Sequence, residues 1–158
     1  MYFCNRFKNV IITKMIDVKD YLLEKGIRPS PQRVAVMRFL LEHRIHPTVD
    51  TVFSELHKMM PTLSKTTIYN TLKLLEEKGA IQVLNIDDKN VRLDGEVTPH
   101  AHFLCRKCGS LFDVPLSQQA VNLLSSVSKI PEFSGFEVRA TQIYHKGLCP
   151  KCKNEQTD

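Results

Sequence analysis

The stretch PTLSKTTIYNTLKLLEEKGAIQVLNIDDKNVRLD, residues 61–94, decides how the chain is read. Pro61-Thr62-Leu63 is a short turn, and Ser64 carries a side-chain oxygen suited to cap a helix start. The helix it opens runs to Lys78 and is closed by Gly79, the residue type that most easily adopts left-handed backbone at a helix end. Ile68, Leu72 and Leu75 recur at helical spacing and should pack inward. Lys65, Thr66, Thr67, Tyr69, Asn70 and Lys73 are left facing outward and toward the helix start, as cationic or hydrogen-bonding groups suited to phosphates and base edges. Residues 80–86 then alternate like a strand, 87–90 turn, and 91–93 return. Helices followed by a β-hairpin make a winged helix-turn-helix, with this fourth helix as its reader. A polar helix face is most often plain solvated surface. The short turn before this one, the hairpin after it and the basic charge around it favour double-stranded DNA as the partner.

Working upstream, three more helices precede the turn. Residues 17–25 form a short one stopped by Gly26. Ser30-Pro31 is a helix start, cap followed by proline at the first helical position, and the helix runs to about His43 with Val34, Met37 and Leu41 on one face. Pro47-Thr48 opens the third, whose apolar stripe is Val49, Val52, Phe53 and Leu56.

The whole chain is 158 residues, 42% hydrophobic and 25% charged, with no low-complexity run, which excludes disorder as its main state. No apolar stretch approaches the roughly 18–20 residues needed to cross a bilayer. Residues 1–14 hold only the short run Val10-Ile11-Ile12 and no small-residue cleavage site, so the chain reads as cytoplasmic and without a membrane partner. Residues 1–86 carry 13 Lys+Arg against 8 Asp+Glu, whereas 87–158 carry 9 of each. A basic first half points to a polyanion. The neutral second half holds four of the five cysteines.

Those four form two pairs, Cys105-Arg-Lys-Cys108 and Cys149-Pro-Lys-Cys152. A two-residue spacer lets both thiolates of a pair face one ion, and two such knuckles complete the tetrahedral sulfur shell that Zn(II) favours. With all four positions filled by protein the zinc is structural, not catalytic. Two redox disulfides or four unrelated thiols are the alternatives; a cytosolic setting disfavours structural disulfides, and a redox pair needs no twin. Cys4 belongs to no pair and reads as a free thiol.

Beside the first knuckle lies a second donor set. His100 and His102 are one residue apart, so on a strand both rings face one side, and Asp94 and Asp113 flank them. Zinc on four thiolates needs none of these. Two imidazoles and two carboxylates suit Fe(II), Mn(II) or Zn(II). His43, His57 and His145 read as ordinary histidines.

GIRPSPQR (26–33), HPT (46–48), TTIYNTL (66–72), RLD (92–94), PHAHFLCRKCG (99–109), LFD (111–113) and GLCPKC (147–152) occur in an order that resembles the ferric-uptake-regulator (Fur) family of metal-dependent transcriptional repressors, from about residue 17 to 152. The chain looks most like the peroxide-responsive branch, PerR. Iron-sensing members usually carry Glu where Asp113 stands, Arg where Asn70 stands, and Asp where Ala101 stands.

The resemblance implies an α+β fold. A winged-helix DNA-binding domain and hinge would span residues 15–94, after an extension of 1–14, and an α/β dimerisation domain with the Cys4 zinc site would span 95–158. In that domain 116–129 would be a helix and 136–144 a strand. It adds His46 to Asp94, His100, His102 and Asp113 as ligands of a regulatory Fe(II) or Mn(II). It implies base contacts by Tyr69 and Asn70, a minor-groove contact by Arg28, and a homodimer on a palindromic operator. It further implies peroxide sensing by iron-catalysed oxidation of His46 or His100; the alternative is an iron- or zinc-status regulator without peroxide sensing. The extension precedes the usual start of the first helix, which leaves open a real arm or a start at Met15.

Two rivals from other classes fit less well. A metal-dependent hydrolase would need a general base or nucleophile that the sequence does not show near these ligands, and it leaves the reader helix unexplained, so no enzyme is expected. A zinc-ribbon adaptor for a protein partner would show no salt-dependent duplex binding.

Overall fold

The computed structural model describes residues 17–155 except 88, 128 and 139. Each N-terminal helix begins where a side chain satisfies an amide that the first turn would leave without a partner. Asp17 caps α1 (Val18–Glu24), accepting from Lys19 N at 2.8 Å. Ser30 Oγ accepts from Arg33 N at 3.3 Å and opens α2 (Pro31–Glu42), with proline at its first position. Thr48 Oγ1 accepts from Thr51 N at 3.1 Å and opens α3 (Val49–Met59). Ser64 Oγ accepts from Thr67 N at 3.1 Å and opens α4 (Lys65–Glu77). Gly79, at φ +60°, sends its N–H to Glu76 O at 2.9 Å and ends α4.

The described residues fall into two units divided between Val97 and Thr98. In the first, the four helices pack around Leu22, Val36, Met37, Leu40, Val52, Leu56, Ile68 and Leu75. The wing is β1 (Gln82–Leu84) paired antiparallel with β2 (Arg92–Asp94), Val83 opposite Leu93. Helices α1 to α4 and this hairpin form a winged helix-turn-helix. One detail differs from the sequence reading: α2 buries Val36, Met37, Phe39 and Leu40, while Val34 and Leu41 are only half-buried. The helix packs against α1, α3 and α4 together, so its apolar surface wraps wider than a single stripe.

The unit boundary also corrects the charge split. The four acids Asp87, Asp88, Asp94 and Glu96 belong with residues 1–97, which then carry 15 Lys+Arg against 12 Asp+Glu, and 98–158 carry 7 against 5. The excess is shared between the units instead of lying wholly in the first half.

The second unit is a three-stranded sheet ordered β4-β3-β5, from β3 (His100–Cys105), β4 (Leu111–Pro115) and β5 (Ile143–Gly147), with α5 (Gln118–Val127) and the short α6 (Pro150–Asn154). β3 pairs antiparallel with β4 and parallel with β5, and both registers meet at His102, opposite Asp113 on one side and Tyr144 on the other. The strand expected over 136–144 lies instead at Ile143–Gly147. Its parallel register sets Ile143 against Ala101, near the start of β3, so the described residues before it run past the end of the strand that would pair them. Among the described residues of this unit only Ala101, His102, Cys105, Cys149 and Cys152 are buried. No leucine, isoleucine, valine or phenylalanine is among them, so the unit's interior is built on its cysteines. No helix is long and apolar enough to cross a membrane among the described residues. The readings of residues 1–14 and of Cys4 lie outside those residues.

Candidate metal centres and reader helix

The first knuckle is the β3–β4 connection. Cys105 ends β3, and the chain closes on itself through Gly109 N to Cys105 O (2.8 Å) and Cys105 N to Ser110 O (2.9 Å). Gly109 sits at φ +72°, a conformation only glycine takes without strain. The second knuckle follows β5: Cys149 immediately precedes α6, Pro150 is its first residue, and Cys152 lies within its first turn. Parallel pairing of Cys105 with Gly147, and the Arg106 N to Gly147 O bond at 2.7 Å, bring the knuckles together. The four sulfurs lie within 4.8 Å of one another, with Cys108 Sγ 3.9 Å from Cys149 Sγ. Sulfurs about 2.3 Å from one tetrahedral ion stand about 3.8 Å apart, the spacing that Cys108 and Cys149 already hold, so the cluster suits zinc.

Backbone donors already favour thiolate at one corner. The amides of Cys108 and Cys149 hold the Cys105 thiol down at about 6. The Ser110 hydroxyl lowers Cys108. Burial pushes Cys152 up to about 12, so a metal must displace its proton.

The sheet builds the other donor set. His100 and His102 share a face of β3, and Asp113 stands opposite His102 on β4. His100 Nε2 is 3.0 Å from His102 Nε2, and Asp113 Oδ1 is 3.5 Å and 3.8 Å from the two nitrogens. Two nitrogens held about 2.1 Å from one ion at a right angle stand about 3.0 Å apart. His100 Nδ1 lies 2.8 Å from Thr98 O, so that nitrogen carries the proton and Nε2 presents its lone pair. The Thr98 carbonyl is a functional group that sequence reasoning missed, since a backbone oxygen leaves no signature in residue type.

In the first unit, His46 and Asp94 are brought together because Leu93 N donates to Pro47 O at 3.0 Å. His46 is buried and sits at φ +47°, a left-handed conformation that carries about 1–3 kcal/mol of strain in a residue other than glycine. Asp94 accepts from Glu96 N at 2.8 Å, and Glu96 is ion-paired with Arg44. Between them, Gly95 packs so closely that a Cβ would stand 3.0 Å from Leu40 O, a backbone atom that cannot swing aside. Gly95→Ala is therefore expected to lower stability by about 1–3 kcal/mol in urea melts, through overpacking against α2.

On α4, Lys65, Thr66, Tyr69, Asn70 and Lys73 are exposed and Thr67 half-exposed, while Ile68, Thr71, Leu72 and Leu75 are buried. Arg28 is exposed in the loop before α2, its carbonyl accepting from Arg33 Nη1 at 2.8 Å. Thr67 and Asn70 line, with Ser30, Gln32 and Arg33, a cleft of about 220 Å³ between α2 and α4. His43 and His57 are explained by packing, on Phe39 and Phe53, and by bonds to the Phe39 and Leu63 carbonyls.

Fold and donor sets together define a winged-helix protein carrying a tetrathiolate cluster and a separate nitrogen–oxygen cluster. A family profile described as the ferric uptake regulator family matches residues 24–146. The peroxide-responsive repressor PerR of Staphylococcus epidermidis is 33% identical over 135 residues, covering 85% of this chain and 87% of that one. The Campylobacter jejuni peroxide stress regulator superposes with TM-score 0.62 at 27% identity, over 85% of this chain and 96% of that one. The Helicobacter pylori ferric uptake regulator shares the fold, with TM-score 0.65 at 18% identity over 88% and 95%. The chain belongs to the ferric uptake regulator family. It is a metal-responsive regulator and not an enzyme.

Proposed function

We propose that the protein is a cytoplasmic, metal-dependent repressor that binds a palindromic DNA operator as a homodimer and releases it when peroxide oxidises a ligand histidine. The observation that carries this reading is the His100–His102–Asp113 cluster, whose donors suit Fe(II) or Mn(II) and which the tetrathiolate zinc does not need. Structural Zn(II) would be held by Cys105, Cys108, Cys149 and Cys152. The regulatory ion would be held by His100, His102 and Asp113 together with His46 and Asp94.

Those five ligands come from both sides of the boundary at Val97 and Thr98. An ion held by all of them fixes one orientation of the reader unit against its partner unit. Without it, matching two half-sites carries an entropic penalty. The dimer is supported by the second unit's composition: it buries no large aliphatic side chain among its described residues, yet exposes Phe112, Val114, Leu123 and Phe136. Such a surface calls for a second copy to cover it. Ferrous iron, when bound, supplies the electrons that cleave peroxide and leave a strong oxidant beside the imidazoles. The likeness to PerR of S. epidermidis and to the C. jejuni peroxide stress regulator supports this signal over iron or zinc status.

Duplex binding by protein loaded in turn with Mn(II), Fe(II) and Zn(II), then challenged with peroxide, tests the whole reading. Binding is expected with iron or manganese, and only the iron form should lose it. Equal peroxide resistance of both forms would leave a metal-status regulator as the better description. Arg28, Lys65, Thr66, Thr67, Tyr69 and Asn70 are the proposed DNA contacts. Tyr69 is exposed on the outward face, so Tyr69→Ala should weaken operator binding by about 1–3 kcal/mol while zinc content and dimer stay unchanged. Unaltered affinity on an intact fold would remove Tyr69 from the contact surface.

A further inference from the structure

Both lysines on the outward face of α4 have an acid beside them. Lys73 lies 4.0 Å from Glu77, one turn on in the same helix, an ordinary local pair. Lys65, the first residue of α4, is different, because its ammonium is bonded to Asp50 in the first turn of α3. Asp50 serves no core: its side chain is 73% exposed. It lines a groove of about 370 Å³ between α4 and the wing, together with Tyr69, Lys73, Lys89 and Asn90. An anion therefore stands among the groups that would face nucleic acid, tied to one of the cations meant for phosphate.

We infer that Asp50 is an electrostatic brake on DNA binding, holding the Lys65 ammonium from phosphate and so lowering affinity for every duplex by the same factor. The inference rests on the DNA-binding reading above. A phosphate that takes Lys65 must first break its bond to the carboxylate. That penalty is the same whatever the base sequence. The Asp50 bond raises the Lys65 pKa, so the lysine is charged throughout the physiological range and the brake is always on.

Such a brake has a use in a metal switch. Coupling between metal and DNA changes affinity by a limited factor, about 5–150-fold in most proteins. The switch works only if the metal-loaded form binds, and the metal-free form does not, at one protein concentration. A surface that gripped every duplex more tightly would keep the metal-free form bound too.

The test uses full-length protein loaded with zinc and manganese. Fluorescence anisotropy between 50 and 200 mM salt would compare an arbitrary-sequence duplex with one enriched by the wild type from a random pool. Asp50→Asn should tighten both by a similar factor, about two- to fivefold per subunit, the worth of an exposed ion pair. The slope of log affinity against log salt should steepen by about 0.9 per subunit as one more phosphate is engaged. In a Lys65→Gln background the same substitution should change neither. Unchanged or weakened binding by Asp50→Asn overturns the inference, as does a gain confined to the enriched duplex or one that survives without Lys65. If the wild type binds neither duplex, the DNA reading itself fails.

Discussion

Cys105→Ser or Cys149→Ser is expected to strip tightly bound zinc from the protein and unfold residues 98–155. The reason lies in what that unit buries. Apart from Ala101 and His102, its buried residues among those described are three of the four cysteines, with Phe103 and Leu148 packed against them. A core this small yields little hydrophobic stabilisation, whereas a structural zinc supplies about 10–16 kcal/mol of apparent binding energy in small modules, as much as a whole domain's net stability. Serine shortens and hardens the donor, and three thiolates do not retain the ion with the same affinity. The Cys105 variant also loses the corner that accepts the Cys149 amide at 3.3 Å, so the two knuckles part. Mass spectrometry under native conditions should show loss of zinc, and sedimentation should show loss of the dimer. Retention of one zinc per chain by both variants would reject the site. Acid should act in the same direction on the wild type. Zinc needs thiolates, so affinity falls as the pH falls, and the fall steepens below about 6, where Cys105 is protonated too and its proton must also be displaced.

The parts of this molecule that could be read from sequence are those whose cause is local. Ser30, Thr48 and Ser64 mark helix starts because each oxygen bonds an amide three residues away. The CxxC pairs and the His100–His102 alternation are legible for the same reason, as knuckle and strand geometry place neighbours in sequence on one side. The misplaced strand shows the limit. Phe136 and Val138 look like strand residues, but β5 is set by its parallel register with a strand some 40 residues upstream, and local pattern does not encode that register. The face of α2 failed similarly, since three helices pack on it.

The regulatory set divides along the same line. His100, His102 and Asp113 follow from strand period and hairpin register. His46 is separated from them by more than 50 residues, and only the family resemblance brought it in. The devices that hold the ligands in place left no signal at all: the Thr98 carbonyl on His100, the Pro47 carbonyl on Leu93, and the close approach of Gly95 to Leu40. Each is a backbone atom or a missing one. The same holds for Asp50, an unremarkable acid in a first helical turn until α4 is folded beside it.

Mild peroxide treatment of the iron-loaded protein is expected to add one oxygen to a peptide containing His46 or His100 and to release DNA, while the manganese form stays unmodified and bound. The net chemistry is insertion of one peroxide oxygen at an imidazole carbon, with the other leaving as water. His100 is a suitable target because its ring is oriented: Nδ1 is fixed on Thr98 O, so Nε2 and the adjacent ring carbon face the donor cluster. His46 has less freedom still, being buried and held in left-handed backbone between Ile45 and Pro47. Oxygen on either ring withdraws the lone pair that makes it a ligand, and the proposed regulatory ion is released. The zinc thiolates should react more slowly, because all four are committed to one ion and three are buried. Peptide mass spectrometry separates the outcomes. One added oxygen on His46 or His100, with iron only and in step with loss of duplex binding, is the expected result. Oxidation of Cys105, Cys108, Cys149 or Cys152 while both histidines stay intact would move the sensor to the zinc site. An iron form that stays unmodified and bound would remove peroxide as the signal and leave metal occupancy itself as the message the repressor reads.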